Sequence, residues 1–425
     1  MATEAGVKMP GLEGKIFEAI SSSNVAELKS LIFQFKKKVD FYDENGMTPL
    51  QYAAYKGSKE MVQMLLDQGA DVNSGQHEYN YTALHFGGLS GNAEVCQLLM
   101  IAGAKATATN SVGRTPSQMA AFVGNHHIVA TINSFIPKSD IDYFTKVQGL
   151  QTEPLFPPML SDQLHKFVME INVNPIRVAL NLQRSLGLSE NMDKVKKVLE
   201  AMCNREMKRA NETNEVMAFK FHYIAYLVGE INKLRERHIA FKEQRKEEGS
   251  EDKKVDFVEL FSRKLLKPGK DGVSLDYQDS FLKEAVREFP FRECTIFHQM
   301  ISSFTSKDPP SSLLVISSAI NGQRGFASSV PCCNTCGEEK PAKKCSKCKA
   351  VQYCDRECQR LHWFIHKKAC TRLANTPSTL SRLNRRIVLA FLIDVLHSVQ
   401  RHLPSLECFI THVYNNYTRV QTNEL

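Results

Sequence analysis

Apolar residues recur at helical spacing in the first third of the chain, and they do so in blocks that repeat. In each block, two groups of apolar residues are separated by about one helical turn, which predicts the buried face of an amphipathic helix. The three blocks are Met61/Val62 with Leu65/Leu66, Val95/Cys96 with Leu99/Met100, and Ile128/Val129 with Ile132.

A shared frame of residues precedes each of these blocks. It reads GMTPLQYAA at 46–54, NYTALHFGG at 80–88 and GRTPSQMAA at 113–121, with the threonines 34 and then 33 residues apart, and a turn glycine follows each time at Gly57, Gly91 and Gly124. Threonine opens a helix, proline suits its first turn, and glycine breaks it. This pattern resembles the ankyrin repeat, which implies helix pairs that bury their apolar faces against one another.

The expected limits of the array are residues 10–137. Upstream of the first frame, a further apolar pattern without the Thr-Pro-Leu opening predicts an N-terminal capping pair. Its residues are Ile16, Phe17, Ile20, Leu28, Leu31 and Ile32. The third unit departs from the pattern at Ser117 and Asn133, so we expect it to be the last one.

The stretch 138–306 is predicted to be mostly helical but has no 33-residue period. Its clearest helix begins at about Asn214, and the run Lys242–Lys254 is expected to be a solvated helix end and loop. The apolar stripe of that helix comprises Val216, Phe219, Ile224, Leu227, Val228, Ile231 and Leu234. Residues 307–332 contain two adjacent prolines and little periodicity, which predicts a linker. The expected fold class is mainly α.

Eight of the twelve cysteines fall between Cys332 and Cys370. Charged residues precede any apolar run at the N-terminus, so no signal peptide is expected. Nor does any run approach the eighteen apolar residues of a membrane span; the longest candidate is 387–399. We therefore expect a reducing, intracellular compartment, where clustered cysteines bind metal rather than form disulfides.

The clustered donors are spaced as four pairs, which is what two tetrahedral zinc sites need. They are Cys333, Cys336, Cys345, Cys348, Cys354, Cys358, His366 and Cys370. The last two pairs are each spaced by four, which puts both side chains on one face of a helical turn. Two alternatives remain: Cys332 could replace Cys333, although its spacing suits the turn less well, and His362 could be a ligand.

This spacing, with Tyr353 before the fifth ligand and Gln359, Trp363 and His366-Lys367 after the sixth, resembles the MYND finger. The resemblance implies two interleaved structural zinc sites, Cys333/Cys336/Cys354/Cys358 and Cys345/Cys348/His366/Cys370. It also implies a shallow groove for proline-rich peptides, with Gln359 and Trp363 as groove residues. Alternatively, Trp363 forms the small core of the finger.

The formal net charge of +8 is a weak indication of nucleic acid. Seven zinc-bound thiolates and two zinc ions would bring the charge to about +5. The lysines of the cysteine-rich segment are expected to offset the negative zinc sites. They are Lys343, Lys344, Lys347, Lys349, Lys367 and Lys368. We expect protein partners and no nucleic acid.

The tips of the ankyrin loops are the expected contacts of the repeats with partner proteins. Tyr79 and Tyr81 lie at the second tip, and tyrosine is common at protein interfaces. His85 occupies the histidine position of the repeat, where the ring hydrogen-bonds backbone. Cys96 lies at an apolar core position and is not expected to be a nucleophile.

An ankyrin array, a helical region and a MYND finger in this order resemble the ankyrin repeat and MYND domain-containing proteins. The resemblance implies a non-enzymatic adaptor in the cytoplasm that traffics signalling proteins to the cilium. The tail, 371–425, departs from the hydrophilic acidic end of that family, because it has three arginines followed by the apolar run 387–399.

Two other functions share these motifs. A nuclear corepressor adaptor would differ from the trafficking adaptor only in its location. A SET/MYND-type lysine methyltransferase would need an Asn-His-Ser-Cys-type motif, but Asn125-His126 is followed by His127-Ile128 inside the third repeat. The enzyme is therefore the less favoured of the two.

Overall fold

The computed structural model describes residues 11–35, 37–149, 151–208, 213–244, 256–269, 275–322 and 331–375. These residues form two compact units. One unit comprises the residues up to Lys343 together with 352–365, and the other comprises 344–351 with 366–375.

The N-terminal part of the first unit is a stack of helix pairs, which confirms the predicted ankyrin solenoid. The pairs are α1 (Leu12–Ser21) with α2 (Val25–Gln34), α3 (Pro49–Lys56) with α4 (Lys59–Asp67), α5 (Ala83–Ser90) with α6 (Ala93–Ile101), and α7 (Pro116–Phe122) with α8 (His126–Asn133). Neighbouring pairs share one apolar core, in which Ile20, Leu50, Leu84 and Ile128 are fully buried.

The repeated frame begins and ends the first helix of each pair in the way its residues predict. The side chains of Thr48 and Gln51 form a reciprocal capping box at the start of α3, and Thr115 and Gln118 form another at the start of α7. Gly57 caps the C-terminus of helix α3, and its φ of 69° lies in the left-handed region that glycine adopts without strain. The local sequence therefore determines where these helices start and stop.

The ring of His85 hydrogen-bonds backbone, as predicted, and it thereby links the second and third frames. Its Nδ1 accepts a hydrogen bond from the backbone N–H of Thr82 at 3.1 Å, and its Nε2 lies 3.0 Å from the carbonyl oxygen of Arg114. Burial lowers the pKa of this ring, and the bond to the Arg114 carbonyl only partly opposes that effect. His85 is therefore a neutral, structural histidine. Cys96 is also structural, since burial raises the pKa of its thiol to about 12.

The region that follows the repeats is helical, as expected. Its elements are α9 (Lys138–Asp142), two short 3-10 turns (Tyr143–Thr145 and Pro158–Leu160), α10 (Ser161–Val168), α11 (Pro175–Arg184), α12 (Leu186–Glu190), α13 (Met192–Met207), α14 (Glu215–Gln244), α15 (Phe257–Leu265), α16 (Asp276–Arg287), α17 (Thr295–Phe304) and α18 (Ser312–Asn321). Helix α14 is central, because α11, α13, α15, α16, α17 and α18 all pack on it.

The apolar stripe predicted for α14 is buried, with Val216 and Leu234 half-buried at its ends. Burial extends beyond that stripe to Phe221 and Tyr223, and the Tyr223 hydroxyl donates to the carbonyl of Val173 at 2.9 Å. Most of the charged run Lys242–Lys254 lies outside the described residues, as does the apolar run 387–399.

The prediction of a linker at 307–332 is wrong for residues 312–321, which form α18. This helix packs on α8 of the last repeat and on α14, α16 and α17. At its end, the Asn321 side-chain amide donates to the carbonyl of Ile171 at 2.9 Å, and the Ser134 hydroxyl donates to the Asn321 side chain at 3.3 Å. The helix was missed because it is short and follows two prolines. It joins the repeats to the helical region.

The cysteine-rich segment contains β1 (Lys343–Lys344), β2 (Gln352–Tyr353) and α19 (Arg356–Asn375). Among the described residues, no helix is both long enough and apolar enough to cross a membrane.

Lys220, on the central helix α14, is completely buried. Its Nζ has no hydrogen-bond partner among the described residues. Burial lowers the pKa of this amine to about 7, and the negative charge of Glu170 only partly opposes the shift. An unfolded lysine stays protonated up to a pH of about 10. Folding therefore releases a proton from Lys220 at intermediate pH, and the free-energy cost of that release grows as the pH falls from about 10 to about 7.

We expect Lys220→Met to stabilise the protein, because it keeps the apolar stem and removes the amine. The free energy of unfolding should rise by about 2–4 kcal/mol at pH 7.5, and by less at pH 9.5, where unfolded lysine is closer to neutral. Urea denaturation at the two pH values measures both. Lys194→Met, at an exposed position of α13, is the control and should change neither value. A Lys220→Met protein that is less stable at pH 7.5 would show that the amine makes a favourable contact.

Candidate metal centre

The first zinc ligand pair, Cys333 and Cys336, lies on a tight backbone turn. The N–H of Cys333 donates to the carbonyl of Glu338 at 2.7 Å, and the N–H of Gly337 donates back to the carbonyl of Cys333 at 2.9 Å. Gly337 has a φ of 70°, which favours glycine at this position. The turn directs both sulfurs to one side, as the CxxC spacing predicts.

The second pair of this site, Cys354 and Cys358, lies at the start of α19. The Asp355 side chain accepts a hydrogen bond from the N–H of Cys358 at 2.8 Å, and the Thr335 hydroxyl donates to the carbonyl of Cys358 at 2.6 Å. These bonds bring the first turn of the helix to the CxxC turn. Cys336 Sγ lies 3.5 Å from Cys354 Sγ and 3.7 Å from Cys358 Sγ.

The second unit contains the other four donors. His366 Nε2 lies 3.3 Å from Cys345 Sγ and 3.5 Å from Cys348 Sγ, and Cys345 Sγ lies 3.7 Å from Cys370 Sγ. The turn between Cys345 and Cys348 is closed by the Lys349 N–H, which donates to the carbonyl of Cys345 at 2.9 Å.

Both groups of donors fit a tetrahedral zinc ion. Within each group, the four donor atoms lie within 4.8 Å of one another. Zinc at about 2.3 Å from each sulfur holds its sulfurs about 3.8 Å apart, close to the observed 3.5 and 3.7 Å. All eight donors come from the protein, so neither ion would have an open position, which is typical of a structural site.

The pKa shifts of the thiols also favour a bound cation in each group of donors. Hydrogen bonds from Cys336 and Cys358 lower the pKa of Cys333, so that the first group contains one ready thiolate. Burial raises the pKa of Cys345, but bonds from the Cys348 backbone and the His366 ring outweigh it and lower the pKa to about 6. Further thiolates in the same space would repel the first one unless a cation lay between them. A divalent ion removes this conflict.

Both alternatives for the ligands are settled by position. Cys333 is buried among the donors, whereas its neighbour Cys332 is exposed. His362 is not in either group, and its Nδ1 lies 3.0 Å from the hydroxyl of Tyr353. That ring is half-buried.

The part of the finger in the first unit packs on the helical region through ion pairs that the sequence did not indicate. Arg184 of α11 lies 3.1 Å from Asp355 and 3.3 Å from Glu357. Arg360 of α19 lies 2.7 Å from Asp256 and 2.5 Å from Glu259, at the start of α15. These partners are about 100 to 170 residues apart. No local spacing could have indicated them.

Gln359 and Trp363, the residues predicted to line a peptide groove, lie on α19 beside this interface. Arg360 faces α15, and Phe364 lies under the guanidinium of Arg263 at 5.7 Å. Gln359 and Trp363 precede those two by one residue each and so lie about 100° away round the helix. The Trp363 side chain is 46% exposed, while Tyr353 is the fully buried aromatic residue of the finger. Trp363 is therefore not the core of the finger.

Tyr79 and Tyr81, the predicted partner contacts of the repeats, belong to a set of touching aromatic rings that we call the aromatic strip. Its members are Tyr55, His77, Tyr79, Tyr81 and Phe86, with ring centroids 5.3 to 6.1 Å apart. Tyr55 and Tyr79 are 54% and 52% exposed, whereas Tyr81 is half-buried. Tyr55 and Phe86 lie on helices rather than at loop tips, so the loop-tip pattern did not indicate them.

Comparison with known proteins agrees with both modules. The family model for ankyrin repeats matches residues 16–110 in three copies, and the model for the MYND finger matches 333–370. Diacylglycerol kinase iota of Homo sapiens is 32% identical over 127 residues, which are 27% of this chain and 12% of the kinase. A SET and MYND domain-containing protein of Dictyostelium discoideum is 47% identical over 47 residues, or 11% of this chain and 9% of that protein.

One relative is similar along almost the whole chain. Dauer abnormal formation protein 25 of Caenorhabditis elegans is 30% identical over 376 residues, which cover 87% of this chain and 92% of the relative. The similarity thus extends through the helical region between the two modules. The chain belongs to the family of ankyrin-repeat and MYND-finger proteins that includes Dauer abnormal formation protein 25.

Proposed function

We propose that this protein is a non-enzymatic adaptor that binds one partner protein on the aromatic strip and another at Gln359 and Trp363 of the finger. The observation that carries this proposal is the presence of two exposed aromatic surfaces on two modules of the protein-binding type. Exposed aromatic residues supply much of the binding energy at protein interfaces.

The metal chemistry supports a binding role over a catalytic one. Each group of donors supplies four protein ligands, which leaves no coordination position for a substrate or an activated water. The similarity to the SET and MYND protein covers only 47 residues, or 11% of this chain. The MYND finger itself is 38 residues long. A methyltransferase would bind S-adenosylmethionine, so titration calorimetry with that cofactor tests the alternative directly.

The finger is proposed to bind a proline-rich peptide. Such a peptide is already extended, so it loses little conformational entropy on binding, and the exposed indole of Trp363 offers a flat apolar surface. Trp363 lies beside the ion pairs that join α19 to α15, so these two helices hold the surface around the indole in place.

The cellular role proposed for the adaptor is the trafficking of signalling proteins to the cilium, from a cytoplasmic location. The support for this role is the resemblance to the ankyrin repeat and MYND domain-containing proteins. A nuclear corepressor adaptor would use the same two surfaces. Imaging of the tagged full-length chain distinguishes them, because a signal confined to the nucleus would exclude the trafficking role.

We expect Trp363→Ala to weaken the binding of proline-rich peptides to the full chain at least about tenfold. The thermal midpoint should change little, since the indole is 46% exposed. Fluorescence anisotropy with a set of labelled peptides of varied proline spacing measures the affinity. Arg356→Ala, an exposed change on the same helix, is the matched control. Equal affinities for wild type and Trp363→Ala would exclude Trp363 from the groove.

Removal of zinc should distinguish partner binding at the finger from partner binding at the repeats. Metal analysis of the purified chain should find two zinc ions per molecule, and chelation should abolish capture of finger partners because the repelling thiolates lose their cation. Capture of ankyrin partners should persist, since the core of the repeats contains none of the eight donors. Loss of both sets of partners on chelation would show that the repeats also depend on the metal.

Tyr55→Ala combined with Tyr79→Ala should remove partners of the aromatic strip and leave finger partners bound. Both side chains are about half exposed, so the thermal midpoint should be close to that of wild type. Tyr81→Ala should lower the midpoint as well, because Tyr81 packs against His77, His85 and Phe86. Quantitative affinity capture compares the variants with wild type. The control is Phe33→Ala on α2, which is 88% exposed and lies outside the strip.

A further inference from the structure

Residues of the helical region hold the CxxC turn of the first zinc group from outside the finger. The side-chain amide of Asn172 donates to the carbonyl oxygen of the ligand Cys336 at 3.1 Å and to the Glu338 carboxylate at 2.8 Å. A Cβ on Gly337 would lie 3.3 Å from the Asn174 amide, so the backbone of the turn approaches the helical region closely.

Arg177 of α11 places a positive charge at the same turn. Its side chain is 18% exposed, and its Nε lies 3.5 Å from Oε2 of Glu338. That Nε is buried and makes no hydrogen bond within the described part of the chain. Burial alone would lower the pKa of Arg177, but nearby negative charge, chiefly that of Glu338 and Glu170, outweighs it and raises the pKa.

The two zinc groups differ in their need for such a charge. Four thiolates around a divalent ion leave a net charge of about −2, whereas three thiolates and a neutral histidine leave about −1. Partly buried negative charge is costly unless a cation lies nearby. Outer groups of this kind tune metal affinity by about 10- to 100-fold in proteins.

We propose that Arg177 and Asn172 are positioning residues of the four-cysteine zinc site, with Arg177 as its countercharge and Asn172 as the anchor of its CxxC turn. The helical region is thereby a component of one of the two zinc sites. The resemblance to a self-contained MYND finger does not imply this, and it holds whether or not either partner surface binds as proposed.

Loss of metal from the intact protein tests the proposal. With Co²⁺ in place of zinc, the visible spectrum distinguishes a site of four sulfurs from one of three sulfurs and a nitrogen, so transfer to a chelator can be followed for each site. Arg177→Gln should speed loss from the four-sulfur site about tenfold and leave the other site unchanged. Asn172→Ala should act in the same direction.

Two control variants distinguish the effect of the Arg177 charge from effects on the packing of the finger against the helical region and on folding. Arg360→Gln breaks ion pairs at the same interface but with Asp256 and Glu259, so it should leave both release rates unchanged. Arg177→Lys retains the charge and should release cobalt at a rate nearer to wild type than to Arg177→Gln. If Arg177→Gln does not fold, the proposal is still tested by Arg177→Lys. The measurement is then its rate of cobalt release from the four-sulfur site, compared with that of wild type.

Three outcomes would overturn the proposal. One is equal acceleration at both sites in Arg177→Gln. Another is the same acceleration in Arg360→Gln, which would attribute the effect to docking alone. The third is an Arg177→Lys protein that loses cobalt from the four-sulfur site at least tenfold faster than wild type.

Discussion

The finger depends on the attraction between a cation and thiolates that would otherwise repel one another. Residues 333–370 are too few to bury a substantial apolar core, and Tyr353 is the one fully buried aromatic residue that the structure describes in them. Two groups of four donors take the place of that core. Where the first group lies, the helical region adds hydrogen bonds and ion pairs through Asn172 and Arg184.

The helical region is more than a spacer between two modules. Helix α18 packs on the last repeat and on α14, while α11 and α15 carry residues that form ion pairs with the finger. The similarity to Dauer abnormal formation protein 25 extends through this region as well. An adaptor built in this way holds its repeats and the first half of its finger on one scaffold. A partner on either module would therefore meet a preorganised surface, which reduces the entropy lost on binding.

The two aromatic surfaces have different origins in the fold. The aromatic strip is formed by rings from two consecutive repeats, so it exists only because the repeats stack. Trp363 is exposed because its neighbours Arg360 and Phe364 face the helical region. In both cases, packing within the fold decides which aromatic residues stay accessible.

The features that depend on local spacing could be predicted from the order of residues alone. The threonine caps, the left-handed glycines and the turn of the CxxC pair are set by residues a few positions apart, and the structure contains all of them. The eight donors could also be identified from spacing, although their division into two sites came from the resemblance to the MYND finger. Helix α18 was missed because two prolines and a short apolar run are equally typical of a linker.

The pairing of charged residues, by contrast, could be known only from the packing of distant segments. Arg177, Arg184 and Arg360 look like any other surface arginines in the sequence, yet each pairs with a carboxylate about 100 to 170 residues away. Likewise, nothing in the sequence distinguishes Lys220 from the other lysines, and it is the packing around α14 that buries it. Pairing and burial of charge depend on contacts between distant segments, and such contacts have no periodic signature along the chain.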